Sequence, residues 1–302
     1  NTAVGMQALN TNSSGSNGVA VGYQALYTAD RTQFNTAVGY RSMRSATTGD
    51  SNTAVGYQAL YSTTTGAFNT AVGRNALYSN TVGVDNTALG YTALNGNTTG
   101  SYNIAIGSLA AYNTSSGSNV VVIGRGALYT GLNNNNAVAI GRDAMYTADN
   151  ISYNVAIGMY AMRSTTTGDY NTAVGYQALY WNTTGIYNTA IGYSALMGNI
   201  IGVSNVALGT AAMNATVSGS NNVAVGVNAL YSNKSGSNNV AIGRDALYTA
   251  DNISYNVAIG MYAMRSTTTG DYNTAVGYQS MYSTTIGLYN ASFGAQSFYN
   301  NT

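Results

Sequence analysis

The chain has 302 residues, of which 6% are charged, with a formal net charge of +1 and no proline, cysteine or histidine; every acidic residue is an aspartate. These absences exclude disulfides, thiolate or imidazole metal sites and the usual nucleophile–base pairs. The near-neutral charge argues against a basic field that would hold nucleic acid or an acidic membrane.

Glycine recurs every 17 residues without interruption from Gly5 through Gly22, Gly39 and Gly56 to Gly294. A period this short and strict predicts a solenoid in which each repeat is one coil stacked on the last. We expect a single repeat domain over residues 1–302, eighteen coils with the last stopping at Thr302. No apolar run approaches the ~20 residues needed to span a bilayer. Neither end has the atypical polar coil that usually caps a solenoid. Two expectations follow: an excerpt or processed piece of a longer chain, or end coils that stack on other copies as a filament.

Within the unit, position 1 is asparagine (Asn35, Asn52, Asn69), with Gly18, Val120 and Ala137 as the exceptions. Positions 2–4 read Thr/Val-Ala-Val/Ile and predict a strand. The glycine at position 5 turns the chain in a backbone conformation closed to other residues. Positions 7–10, centred on a fixed Ala-Leu pair, predict a second strand. Positions 11–17, such as Ser62-Thr63-Thr64-Thr65-Gly66, form the returning loop. Alternate side chains of a strand point to opposite faces, so positions 2 and 4 share one face and Ala at position 3 takes the other. Both faces are apolar, which suits a strand buried on two sides. A thin coil has one interior, so the second apolar contact asks for another copy of the chain. Parallel stacking lays each asparagine over its equivalent about 4.8 Å away, as an amide ladder, and eighteen coils would span roughly 85 Å.

The run Asn-Val-Ala-Ile-Gly-x-x-Ala at 239–246 and again at 256–263 resembles the head repeat of YadA-like trimeric autotransporter adhesins. The same motif type occurs in fibre proteins of tailed phages. With Thr or Val at position 2, the resemblance runs through nearly every unit. It implies an all-β, parallel, left-handed β-roll with three chains around a shared apolar axis. It also implies attachment at an extracellular, cell or virion surface. Family units are somewhat shorter than 17 residues, and no heptad stalk, neck or membrane anchor lies in this stretch.

Tyrosine columns are the candidate surface features: Tyr27, Tyr61, Tyr78, Tyr129, Tyr146, Tyr180, Tyr231 and Tyr248 occupy position 10, and others occupy positions 6 and 17. They would bind glycans or pack rods side by side, or serve only to cover the coil edges. Loop aspartates precede arginines of the next coil, as in Asp30 with Arg44, Asp149 with Arg163 and Asp251 with Arg265, and predict inter-coil ion pairs in preference to a calcium site. Asn-x-Ser/Thr sequons at Asn12, Asn97, Asn113, Asn150, Asn182, Asn214, Asn233, Asn252 and Asn290 mostly fall in the loop, where a glycan would project. Thr-rich loops raise an ice-binding grid, but positions 12–14 mix too many residue types.

No catalytic, metal or cofactor residue is expected. The leading expectation is a non-enzymatic fibre or adhesin shaft, homotrimeric, with a host-surface glycan or protein as a further partner. A head-to-tail filament comes second, and an ice- or glycan-binding solenoid third.

Overall fold

The computed structural model describes residues 1–283 and 286–300; Thr302, where the eighteenth unit stops, lies outside them. The chain falls into two compact units, Asn1–Ser152 and Tyr153–Thr302. Each is a parallel β-solenoid, and no helix occurs among the described residues. The first unit carries nine three-residue strands, from β1 (Thr2–Val4) to β9 (Val138–Ile140); the second carries nine, from β10 (Val155–Ile157) to β18 (Ala291–Phe293). Within a unit every strand pairs in parallel with the next at an offset of one repeat, as in Thr53↔Thr70, Ala54↔Ala71 and Val55↔Val72. The ladder bonds are short: Thr53 N donates to Asn69 O at 2.8 Å, and Gly73 N to Val55 O at 2.8 Å.

The interior is narrow and lined by small groups. Ala54, Ala59 and Leu60 of one coil are fully buried, as are Ala71, Ala76 and Leu77 of the next. Adjacent positions 8 and 9 therefore both point inward, which an extended strand forbids. This corrects the expectation of a second strand at 7–10. Those residues form a turn in which positions 7 and 9 are left-handed, with Gln58 at φ 53° and Leu60 at φ 50°. Position 17 is left-handed too, including bulky residues such as Phe68 at φ 59° and Tyr170 at φ 57°. Such conformations cost about 1–3 kcal/mol each. Each nevertheless hands its N–H to a neighbouring coil: Gln58 N to Tyr40 O at 2.9 Å, Leu60 N to Ala76 O at 3.0 Å, and Phe68 N to Asp50 O at 3.0 Å. A coil on its own would carry the strain without those bonds.

Glycine at position 5 is required twice over. Gly56 has φ +141°, and a Cβ there would sit 2.5 Å from Gly73 O of the next coil. Carbonyls pack on carbonyls down this column, leaving no room for a side chain.

Candidate assembly surface

From Asn35 to Asn273 the Asn column at position 1 is interior. Asn69 N donates to Asn52 Oδ1 at 2.8 Å, while Asn69 Nδ2 donates to Gly83 O at 2.8 Å across its own coil. The same pair of bonds ties Asn52 to Asn35 and to Gly66. One side chain thus closes its coil and receives the next. A second buried amide pair lies at position 12, where Asn97 Nδ2 donates to Asn80 Oδ1 at 2.9 Å. This places sequons Asn97, Asn182 and Asn233 inside the coil with no exposure, so a projecting glycan is ruled out there.

Tyrosine rings stack in short ladders. Centroids lie 5.0 Å apart for Tyr61–Tyr78 and Tyr129–Tyr146, with interplanar angles of 7° and 3°. In the second unit Tyr231–Tyr248 stack at 5.2 Å, and Tyr180 meets Trp181 edge-on at 4.6 Å. Stacked rings turn their faces to one another and leave edges and hydroxyls outward. A sugar ring has little free aromatic face to pack on along such a ladder.

Arg44 and Arg265 enter the same columns instead of pairing with Asp30 and Asp251. Arg44 lies between Tyr27 at 5.1 Å and Tyr61 at 5.9 Å, and Arg265 between Tyr248 at 5.3 Å and Tyr282 at 5.9 Å. Asp30 pairs with Arg31 and Asp251 with Lys234, at 3.8 and 3.7 Å. The structure places Arg163 against Tyr180, whose hydroxyl its Nη1 reaches at 3.3 Å. Charge is consequently divided across the coil. Arginines other than Arg31 lie at positions 6, 7 and 10, after the strand, and aspartates at positions 13, 16 and 17, before the next strand, except Asp143 and Asp245, which share the arginine side at position 7. A net charge of +1 conceals that division, because it sums over both sides.

Between those two edges lies the outer face of the strands, formed by positions 2 and 4. It contains Thr, Val, Ile, Leu, Ala and one Phe, with no charge at any of the eighteen levels. Ala at position 3 faces inward, so the expected burial on both faces is not met within one chain. Val55 is 37% exposed, Leu89 47%, Ile191 42% and Ile259 37%. Aromatic residues flank the strip, with Tyr57 and Tyr91 at position 6 and Phe68 and Tyr102 at position 17, all exposed. Loop hydroxyls, in contrast, are spent on neighbouring coils: Thr64 Oγ1 donates to Thr81 O at 3.1 Å and Thr81 Oγ1 to Thr98 O at 3.0 Å. They do not form a free grid for ordering water.

Sequence reasoning missed the left-handed positions, although a signal was present. No β-branched residue occurs at position 9 or 17 in any coil, and Thr92 is the exception at position 7. Such residues are the least tolerant of positive φ. Among the described residues no group of His, Cys, Asp or Glu could hold a metal ion, and no helix is long and apolar enough to cross a membrane. The sequence matches no protein-family model and no curated protein.

Proposed function

We propose that the chain is a non-enzymatic structural shaft, assembled from parallel copies that bury the outer strand face, and that it spaces or presents a surface outside a cell or virion. The uncharged, half-exposed strip at positions 2 and 4 carries this reading. Covering it recovers roughly 1 kcal/mol per coil. Over the nine coils of one unit that sum, ~9 kcal/mol, falls within the ~4–15 kcal/mol cost of association. The three-residue strands of the nine coils of one unit form a strip ~10 Å wide and ~430 Å² in area by strand dimensions, and the flanking aromatic residues extend it towards the ~800 Å² per partner of a stable interface. Three copies in a left-handed roll is the form that the adhesin-head resemblance implies. Attachment to a glycan or protein of a host would then belong to residues presented by the shaft, with no membrane insertion, nucleic acid or cofactor involved.

A head-to-tail filament is the second reading, supported by coils that are alike from level to level. Two measurements separate the possibilities. Replacing Val55 and Leu89 together by lysine should convert the assembly to single chains while the far-ultraviolet spectrum is retained. An unchanged mass would contradict the reading. Electron micrographs of the parent chain should show particles of one fixed length; fibres that lengthen with concentration would favour the filament.

A further inference from the structure

Position 10 carries tyrosine more often than any other residue, and the proposed assembly does not use it, because it lies outside the strip at positions 2 and 4 and its flanks at 6 and 17. Wherever tyrosine follows tyrosine in this column, the rings stack. Centroids lie 5.0–5.2 Å apart in Tyr61–Tyr78, Tyr112–Tyr129, Tyr129–Tyr146, Tyr231–Tyr248 and Tyr282–Tyr299. The rings are within 9° of parallel except in Tyr231–Tyr248, at 22°. All of them are half-buried, so solvent reaches each phenol.

The column is also interrupted. Arg44 stands between Tyr27 and Tyr61, and Arg265 between Tyr248 and Tyr282. Tyr27 is half-buried like the rest, but its column neighbours are Asn10 and Arg44. The same column therefore holds phenols with and without a stacked phenol beside them. In a stacked pair, like carbons of the two rings face each other at about the centroid spacing. Bringing them together asks for a swing about two Cα–Cβ bonds instead of a meeting of two chains, which is the advantage of a prearranged pair. The chain has no cysteine to intercept an oxidant.

We infer that the stacked tyrosines at position 10 are oxidative cross-linking sites, where a one-electron oxidant of the peroxide–peroxidase class joins consecutive coils of one chain as dityrosine. Each phenol gives up one electron and one proton. The two radicals form a carbon–carbon bond between positions ortho to oxygen. The hydrogen on each of those carbons then moves to the oxygen and restores the phenol. The pair has lost two electrons and two protons, and hydrogen peroxide takes them up as two waters. Each new bond closes a loop of one repeat and restricts the unfolded chain more than the stacked one. It fastens neighbouring levels of the solenoid covalently, whether or not copies of the chain assemble.

The test uses the full chain, kept dilute, treated with hydrogen peroxide and a haem peroxidase and then cleaved after arginine and lysine. Cleavage at Arg74 parts Tyr61 from Tyr78, and cleavage at Arg142 parts Tyr129 from Tyr146. Mass spectrometry should find each of these peptide pairs joined and lighter by a pair of hydrogens, while a denaturing gel of the uncleaved product keeps the mass of one chain. Links in the stacks should form at least about tenfold faster than any link at Tyr27, and unfolding the chain before oxidation should erase that preference. Tyr78→Phe keeps the ring without the phenol, so the Tyr61–Tyr78 junction should vanish and Tyr129–Tyr146 should persist. Links made chiefly between chains, links at Tyr27 as fast as in the stacks, or a junction of the same two peptides that survives Tyr78→Phe unchanged would overturn the inference.

Discussion

Asn69 shows how one side chain sustains two coils. Its Oδ1 accepts Asn86 N at 3.0 Å and its Nδ2 serves Gly83 O at 2.8 Å, all without solvent. Asn69→Ala leaves a buried N–H and a buried carbonyl unpaired, so we expect a loss of about 2–5 kcal/mol in denaturant unfolding. Asn69→Asp keeps the acceptor but turns a carboxylate towards Gly83 O, and should cost at least as much. Gly56→Ala meets both the positive φ and the Gly73 carbonyl, and should cost about 3 kcal/mol or more. Wild-type stability in any of the three variants would contradict these roles. Tyr272 offers a pH test. Desolvation against its stacked neighbours Tyr255 and Tyr289, then the negative charges of Tyr255, Tyr289 and Asp271, raises its phenol above 10.0. A raised folded pKa means that its contribution to stability is intact below the unfolded value and is lost as pH climbs through the folded one. Phenolate absorbance should therefore show a component titrating above 10.0 that Tyr272→Phe removes; a profile unchanged by the substitution would contradict the assignment.

At the scale of one coil, the conformation is set by inward-pointing neighbours, not by strand propensity. Leu77 is buried at φ 50° between Ala76 and the next turn, and its N–H donates to Ala93 O at 3.0 Å. Leu77→Val shrinks the side chain and adds β-branching where positive φ tolerates it least, so a loss of about 2–4 kcal/mol is expected in thermal or denaturant melts. Hydrogen exchange at the amides of Gln58, Leu60 and Phe68 should be as slow as in the strands, because each bonds a neighbouring coil. Fast exchange there would show the turn to be independent of stacking. The glycine period and the Thr-Ala-Val strand were legible because each rests on local pattern. The turn at 7–10 was not, since Ala and Leu side by side are equally compatible with a strand centre until their shared burial is known. Asn97, Asn182 and Asn233 read as loop sequons for the same reason: polarity suggested solvent, whereas an amide that reaches its own coil's carbonyl belongs inside.

At the scale of the molecule, the proposed assembly rests on the outer strip at positions 2 and 4, which is uncharged and partly exposed in each unit. The tyrosine and arginine columns were visible in the sequence as periodic positions. That positions 6 and 17 flank one strand needed the coil, because they lie 11 apart in one repeat and meet a single strand only across the repeat boundary. Attachment chemistry was never legible, as no column collects polar groups around a free aromatic face. The mass of the intact chain in solution, measured by sedimentation equilibrium across a wide dilution range, tests the central claim most directly. The account predicts a species of three chains of 31.2 kDa each; a single 31.2 kDa chain persisting at high concentration would contradict it.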